Sequence, residues 1–244
     1  MTDTTTADVP DAGSAPADAG RAPDTLPVLY DYELSGSCYK VRLLASMLGV
    51  PYRAETIEFY PAAEHRGETF LAIDPMGELP VWRDPSRSGG ELVLRDSKAI
   101  LVYLAACHDP GGHWYPTADD PVRLARTVQW LAFGDALTAS ASAARLVEGF
   151  FHAGDIDALR AEAHRLLRIL DAHLWFGERE GRDWLVDGAA PTLADLACFP
   201  CVALSEEGGV DREDYPAVRR WLERVTRLPG FVTMPGVFAA GEGR

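Results

Sequence analysis

The sequence predicts a small α/β domain followed by a bundle of α-helices. Between residues 26 and 106 the apolar patterns alternate between strand and helix, whereas every apolar pattern after residue 121 has helical spacing. A segment rich in proline and glycine, residues 109–121, separates the two kinds of pattern. We therefore expect an α/β domain over residues 26–108, a linker over 109–121 and an all-helical domain over 122–232.

The first strand and the first helix lie within Leu26–Gly49. Val28–Tyr30 has the composition of a buried strand, and the helix that ends at Gly49 has an apolar face made by Val41, Leu44, Ala45 and Leu48. The loop Ser35–Cys38 lies between them and carries two hydroxyls and a thiol. Backbone N–H groups at a helix start are unpaired and favour a bound anion. Serine also caps helices, so capping alone is the alternative explanation of Ser35 or Ser37.

Further elements complete the predicted α/β domain. The pattern predicts a strand over Tyr52–Phe59 and a short helix over Glu68–Leu71. Leu79–Trp82 also has strand character, but Pro80 removes a ladder donor and indicates a sheet edge, a bulge or a cis bond. Asp84–Gly90 predicts a hairpin loop that leads into a strand over Glu91–Leu94. The helix after that begins at Asp96 and Ser97 and runs through Ile100, Leu101 and Leu104.

The second half predicts four helical segments and a short irregular C-terminal tail over residues 233–244. The segments are Val122–Phe151, Ile156–Phe176, Thr192–Ser205 and Pro216–Leu228.

Composition and charge exclude several classes of partner. The 244 residues include 37 acidic and 23 basic side chains, a net charge of −14, which repels nucleic acid and anionic membrane surfaces. No apolar run approaches the roughly 20 residues that cross a bilayer. Residues 1–25 lack a secretory signal pattern and predict a disordered acidic tail. Four cysteines are too few for a disulfide scaffold in a chain of this length, so we expect a cytoplasmic protein.

Motifs in both halves resemble the glutathione S-transferase family. LYDYELSGSCYKVRLL is similar to its first strand, active-site loop and first helix, DPMGELPVW to the turn before its cis-proline, and LRDSKAILVYL to its acidic-residue–serine helix start. PTLADLACF resembles the buried capping box of its helical domain, with Thr192 as cap and Asp195 returning the bond. YPAVRRWLERVTRLPGF resembles its last core helix. The resemblance, to the bacterial serine-type, theta- and zeta-like members, spans Leu26 to Val232 and implies a thioredoxin-like first domain.

The resemblance assigns roles to particular residues. It implies that the hydroxyl of Ser35 donates a hydrogen bond to the sulfur of glutathione, and that Pro80 is cis and turns the backbone of Leu79 toward the tripeptide, which pairs with it as an added strand. Asp96 and Ser97 would receive the γ-glutamyl end. The resemblance further implies that glutathione is the co-substrate, that no metal is required and that the protein is a homodimer.

Other residues are candidates for contacts with the ligands. Lys40 and His65 are candidate glutathione-binding residues. For a co-substrate pocket between the domains, the candidates are Tyr32, Leu34, Trp130, Phe133 and Thr138. Cys38 has S-x-x-C spacing, and is the alternative catalytic residue in a glutaredoxin-like enzyme, although buried packing explains it as well. Cys198 and Cys201 form a C-x-x-C pattern after a helix cap, where neither zinc nor redox chemistry is expected.

The function predicted from these features is transfer of glutathione to a small hydrophobic electrophile, the chemistry of detoxification. One alternative is a glutathione-dependent isomerase or dehalogenase, as in zeta- and theta-like relatives, although Gly36 and Ser37 depart from the zeta-like loop. Another alternative is a non-catalytic protein that uses the fold to bind apolar ligands or a protein partner.

Overall fold

The first half of the chain folds as a four-stranded mixed sheet with three helices. The structure, a computed structural model, describes residues 26–85, 90–150 and 152–237. The strands are β1 (Val28–Asp31), β2 (Arg53–Thr56), β3 (Val81–Asp84) and β4 (Leu92–Leu94). The helices are α1 (Gly36–Met47), α2 (Glu68–Leu71) and α3 (Ser97–His108). The strand order is β2-β1-β3-β4; β1 and β2 are parallel, and the other two pairs are antiparallel.

The second half is helical, which confirms the predicted fold class. Its helices are α4 (Pro121–Leu137), α5 (Ala143–Phe150), α6 (Ile156–Arg179), α7 (Leu193–Ala203) and α8 (Pro216–Thr226). The predicted helical segment that begins at Val122 is helical over its described residues, but it is not α-helical throughout. A π-helical turn over Thr138–Ser142 separates α4 from α5. Such a turn holds one residue more than an α-helical turn, and no composition rule in the sequence marks it.

The structure around Pro80 distinguishes the three possibilities that the sequence left open: a sheet edge, a bulge or a cis bond. The Leu79–Pro80 bond is cis, as the resemblance implies. β3 begins at Val81 and pairs with β1 on one side and with β4 on the other, so the edge position is excluded. The predicted hairpin loop that follows falls partly on residues 86–89, which lie outside the described residues, as does the predicted acidic tail over 1–25.

The core joins the two halves through α1 and α7. On α1, Leu43 and Leu44 are fully buried, and Tyr39 donates a hydrogen bond from its hydroxyl to the carbonyl of Val232 at 2.6 Å. Helix α7 is buried along nearly its whole length and starts with the predicted capping box, which is confirmed: Thr192 N donates to Asp195 at 3.0 Å, and Ala194 N to Thr192 Oγ1 at 3.3 Å. Burying this apolar surface is the main stabilising contribution, and it fixes the cleft between the halves.

The described part of the C-terminal tail is without helix or strand, but part of it is buried. Met234 and Val237 pair in a short turn and are 5% and 4% exposed, so they belong to the core. Within residues 26–85, 90–150 and 152–237, no helix combines the length and the hydropathy needed to cross a membrane.

Candidate functional site

The loop between β1 and α1 brings Ser35 to the start of a helix. Ser35 has an extended backbone and caps α1, with Oγ accepting a hydrogen bond from Cys38 N at 3.2 Å. The loop is held from behind, because Ser35 N donates to the carbonyl of Tyr32 at 2.9 Å and Arg42 donates to the carbonyl of Glu33 at 2.8 Å. The sequence left open whether Ser35 is a cap or a site residue, and the geometry is compatible with both functions.

A cavity of about 340 Å³ lies in front of this loop, between the two halves of the chain. The first half contributes Tyr32, Leu34, Ser35, Gly36, Ser37, Phe59, Arg66, Gly77, Glu78 and Leu79. The second half contributes Thr138, Ser142, Ala143, Arg145, Leu146, Phe150, His152 and Leu204. The hydroxyls of Ser35 and Ser37 and the first turn of α1 thus face a space large enough for a small ligand.

Aromatic rings from both halves form one wall of the cavity. The ring of Tyr32 lies 5.6 Å from that of Phe59 and 6.4 Å from that of Phe150, measured between centroids. His152 stacks on the other side of this group, 5.9 Å from Phe59 with planes 9° apart. Burial raises the pKa of Tyr32, and the nearby Glu58 adds to this effect, so its phenol stays protonated at neutral pH. This wall therefore combines aromatic surface with two polar groups, the Tyr32 hydroxyl and the His152 imidazole.

Five of the candidate residues line this cavity. Tyr32, Leu34, Ser35 and Leu79 come from the first half, and Thr138 comes from the π-helical turn of the second. The structure therefore brings together the candidate thiolate donor, the residue before the cis-proline and three of the five candidates for the co-substrate pocket.

Lys40 lies elsewhere. It is 2% exposed, and Nζ donates to Thr138 Oγ1 at 3.4 Å, behind the cavity wall. The prediction that Lys40 meets a glutathione carboxylate is not supported, because α1 directs this side chain toward α4 and the π-helical turn and not toward the cavity.

His65 also sits behind the wall. It is 5% exposed, and its ring stacks on Phe59 at 4.0 Å. Among the described residues its Nδ1 has no hydrogen-bond partner. Burial lowers the pKa of His65, and the charges of Arg66 and His152 lower it further, so the ring is neutral at pH 7. In this position His65 supports Phe59 and does not itself line the cavity.

Trp130 and Phe133 do not belong to the cavity, which corrects the prediction for the co-substrate pocket. Their rings contact each other edge to face at 4.9 Å, and Trp130 packs against His173 at 4.6 Å. Trp130 is 9% exposed. Helical periodicity places such residues on an apolar face, but a bundle has several apolar faces, and this one meets α6.

Asp96 and Ser97 form the start of α3 as predicted. Asp96 Oδ1 accepts a hydrogen bond from Ala99 N at 2.9 Å, and Ser97 is the buried first residue of the helix. Neither residue lines the cavity. Their role in binding a γ-glutamyl group stays a prediction, as does that of Pro80.

The cysteines are poorly placed for chemistry. Cys38 is fully buried, and burial followed by the charge of Asp31 raises the pKa of its thiol to about 12. Cys198 and Cys201 are 0% and 3% exposed on α7, and burial raises the pKa of Cys198. A thiolate is the reactive form, so neither Cys38 nor Cys198 is activated. Among the described residues no group of His, Cys, Asp or Glu side chains could hold a metal ion.

The sequence did not identify several residues of the cavity wall. They include Phe59, Arg145, Phe150 and His152. Arg145 and Phe150 lie on α5 and His152 lies in the α5–α6 connection, and only the packing of this segment against the first half brings them to the cavity that Ser35 lines. No local pattern marks such residues.

Family models match both halves of the chain. Residues 34–107 match the model described as "Glutathione S-transferase, N-terminal domain", and residues 153–224 match "Glutathione S-transferase, C-terminal domain". The chain is 28% identical to a "Glutathione S-transferase-like protein tpcF" of Aspergillus fumigatus over 78% of this chain and 87% of that protein. It is 29% identical to the "Disulfide-bond oxidoreductase YfcG" of Escherichia coli, over 78% of this chain and 86% of that protein.

Solved structures show the same similarity. A possible glutathione S-transferase from Rhodopseudomonas palustris is 30% identical, with a TM-score of 0.71 over 86% of this chain and 98% of that one. A glutathione transferase from Pseudomonas putida was solved with one glutathione disulfide bound per subunit. It is 26% identical, with a TM-score of 0.71 over 84% of this chain and 89% of that one.

Proposed function

The chain belongs to the glutathione S-transferase family, and from this membership we propose that it binds glutathione in the cavity and adds its thiolate to a small hydrophobic electrophile. The observation that carries the proposal is the position of Ser35, which starts α1 and lines a cavity built by both halves. The first half supplies the groups near the thiol, and the second half supplies much of the apolar wall for the electrophile.

Ser35 is proposed to stabilise the thiolate as a hydrogen-bond donor. Its Oγ accepts a hydrogen bond from Cys38 N, and its proton can donate to the Cys38 sulfur, with which the side chain also interacts, or to a thiolate in the cavity. A free thiol with a pKa of about 8.5 is ionised to only a few per cent at pH 7, and lowering the pKa by about two units requires roughly 2.7 kcal/mol. A charge-assisted hydrogen bond and the start of a helix can together supply that amount.

The tripeptide is proposed to extend from Ser35 along Leu79. Leu79 lines the cavity at the end of the loop before β3, where its backbone groups can pair with a peptide as an added strand. Asp96 and Ser97, at the start of α3, are the proposed contacts for the γ-glutamyl end. Lys40 and His65 are left out of this proposal, because both side chains lie behind the cavity wall.

The electrophile is proposed to bind against the wall formed by Tyr32, Phe59 and Phe150. The centroid of the Tyr32 ring lies 5.6 Å from that of Phe59 and 6.4 Å from that of Phe150. The three rings offer flat apolar surface beside Ser35. This arrangement favours small aromatic or unsaturated electrophiles.

Calorimetry with glutathione, followed by turnover of a panel of electrophiles with product analysis, tests the proposal. We expect binding at or below millimolar glutathione and formation of thioether products. Absence of glutathione binding at millimolar concentration contradicts the proposal. An isomerised or dehalogenated product identifies the alternative enzymes, and binding of apolar ligands with no turnover identifies a non-catalytic protein.

A second candidate function is glutathione-dependent reduction of disulfides. The relative from Escherichia coli named as a disulfide-bond oxidoreductase and the structure from Pseudomonas putida with bound glutathione disulfide favour it. No described cysteine lines the cavity. The reaction would therefore use two glutathione molecules: one thiolate attacks the disulfide and expels a thiolate, and a second attacks the mixed disulfide, giving glutathione disulfide and two reduced thiols. Measuring glutathione disulfide formed from a small disulfide substrate tests it.

We also propose that the protein is a cytoplasmic homodimer, as the family resemblance implies. Light scattering on the purified full chain tests the oligomeric state, and a mass of one chain at micromolar concentration contradicts the proposed dimer.

A further inference from the structure

Arg145 crosses the cleft between the two halves of the chain and contacts the loop that carries Ser35. It lies in α5, and its side chain is 8% exposed. Nη1 donates a hydrogen bond to the carbonyl of Leu34 at 2.6 Å, and the residue lines the cavity. The carbonyl that it holds belongs to the residue directly before Ser35, so Arg145 acts on the backbone that orients the Ser35 hydroxyl.

The guanidinium of Arg145 is held on three sides. Nε donates to the carboxylate of Glu207, and Cζ lies 5.4 Å from the centroid of the Phe150 ring. The backbone of α5 is equally constrained, because a Cβ built on Gly208 would lie 2.7 Å from Arg145 N. A guanidinium with three such contacts has little freedom, which gives its charge a defined position in the cavity wall.

The charge of Arg145 is only partly balanced by Glu207. The arginine side chain is 8% exposed, whereas that of Glu207 is 40% exposed. Water screens the carboxylate of Glu207 more than the guanidinium, so the pair adds a net positive contribution to the potential on this side of the cavity, where Glu78 is the lining residue of opposite charge. The other arginine of the cavity, Arg66, donates to the carbonyl of Met76 at 3.1 Å, near Gly77 and Leu79 and away from the Tyr32 wall.

We propose that Arg145 is a positioning residue that fixes the Ser35 loop through the Leu34 carbonyl and whose charge favours the thiolate form of bound glutathione. This inference rests on the proposed function, since it concerns the same cavity and the same ligand. It also gives the helical half a part in activating the thiol, in addition to lining the co-substrate side. The competing explanation is that the hydrogen bond to Leu34 only holds the two halves together and that the ion pair with Glu207 only orders the helical half.

The two partners of the ion pair separate these explanations, because their removal changes the charge in opposite directions. Removing a unit charge about 10 Å from a thiolate, at an effective dielectric constant of about 20, changes the ionisation constant by roughly tenfold. We expect Arg145→Met to lower the ionisation constant of bound glutathione by about tenfold. Glu207→Gln leaves the guanidinium unbalanced, so we expect it to raise the constant by about twofold to threefold, the smaller size following from its exposure.

Arg160 supplies a matched control. It lies on α6, bonds to the carbonyl of Gly208 at 2.8 Å and pairs with Glu148 at 2.8 Å, but it does not line the cavity. Arg160→Met therefore removes an arginine that, like Arg145, contacts the turn Ser205–Gly208 but lies outside the cavity. We expect a smaller loss of stability, since the Arg160 side chain is 31% exposed against 8% for Arg145, and no change in the ionisation of bound glutathione.

The experiment is ultraviolet titration of the bound thiolate in the full chain, with urea unfolding and calorimetry against S-methylglutathione, which lacks a thiol. The inference is supported if the ionisation constant of bound glutathione falls in Arg145→Met and rises in Glu207→Gln while the affinity for S-methylglutathione is nearly unchanged. Equal or absent shifts overturn it. If Arg145→Met does not fold, Glu207→Gln alone decides by the sign of its shift. Failure of the wild-type protein to bind glutathione overturns the proposed function instead.

Discussion

Oγ of Ser35 accepts a hydrogen bond from the backbone nitrogen of Cys38 at 3.2 Å, so one side chain both ends the loop and starts the helix. The acceptor role uses a lone pair and the proposed catalytic role uses the proton, so the two roles are compatible. Losing each role should also have a different measurable effect. Loss of the acceptor affects the stability of α1, whereas loss of the donor affects the sulfur of a bound thiol.

Ser35→Ala should raise the pKa of bound glutathione by roughly one to two units, because a charge-assisted hydrogen bond of about 1.5–3 kcal/mol is lost. The affinity for S-methylglutathione should hardly change, and loss of the cap should cost about 1 kcal/mol of stability. Ultraviolet titration of the thiolate measures the first effect. Ser37→Ala is the matched control, since Ser37 also lines the cavity. A shift in Ser37→Ala and none in Ser35→Ala would transfer the donor role to Ser37.

Cys38→Ala should leave turnover nearly unchanged. The thiol is fully buried, and with a pKa raised to about 12 it stays protonated across the neutral range. A thiol reagent at pH 7 should therefore label the exposed Cys107 and spare Cys38 in the native protein. Mass spectrometry of the labelled peptides checks the pattern. If Cys38→Ala abolishes activity, the glutaredoxin-like alternative is correct.

Lys40→Met should preserve the affinity for glutathione. The ammonium is buried beside Thr138 Oγ1, at 3.4 Å, and not in the cavity. Burying a charge is costly, and an apolar side chain of similar length removes that cost, so we expect equal or greater resistance to urea. Calorimetry compares the variant with the wild type. A tenfold loss of affinity would show that the side chain reaches the ligand after all.

His65→Phe should remove part of the acid sensitivity of the fold. Burial, with Arg66 and His152, keeps the pKa of native His65 below its ordinary value of 6.5. The unfolded chain thus binds this proton more readily, so the stability contribution is complete above pH 6.5 and is lost as the pH falls through the native pKa. Urea unfolding between pH 7.5 and about 5 should show a shallower decline in the variant. Identical slopes contradict the prediction, and a large loss of glutathione affinity would restore His65 to the binding site.

Asp195→Asn should destabilise the protein by about 1–3 kcal/mol. The carboxylate is fully buried and accepts from Leu185 N at 3.1 Å, Thr192 N at 3.0 Å and Trp221 Nε1 at 2.9 Å. An amide offers one acceptor oxygen and places a donor against one of these N–H groups. Urea unfolding gives the difference, and Thr192→Ser, which keeps a capping hydroxyl, should cost less. Equal stability of Asp195→Asn and the wild type would show that the buried network contributes little.

Local rules predicted those parts of the protein that local chemistry determines. The starts of α3 and α7 follow from Asp96 and Thr192, whose side chains satisfy the first N–H groups of each helix. The cavity wall depends on packing between distant segments instead. Trp130 and Phe150 belong to the same predicted helical segment, yet Trp130 faces α6 and Phe150 faces Tyr32. Periodicity identifies an apolar face but not the neighbour that covers it.

Two charged residues near the cleft, one a sequence candidate and one not, show the same limit. Lys40 and Arg145 both lie on helices next to the cleft, and only Arg145 lines the cavity. The difference arises from the direction in which each helix presents the side chain after the two halves pack. The sequence contains the residue types, but the geometry that separates a ligand contact from a buried cation is tertiary.

The π-helical turn has a consequence for insertions and deletions. It places one extra residue between α4 and α5, and each residue of an α-helix turns the following side chains by about 100°. The hydroxyls of Thr138 and Ser140 donate to the carbonyls of Gly134 and Ala136, one turn earlier, at 2.9 and 2.7 Å. Deleting one residue here would restore a regular helix and swing Arg145 about a quarter-turn away from the Leu34 carbonyl. Selection should therefore act on the length of this stretch more strictly than on its composition.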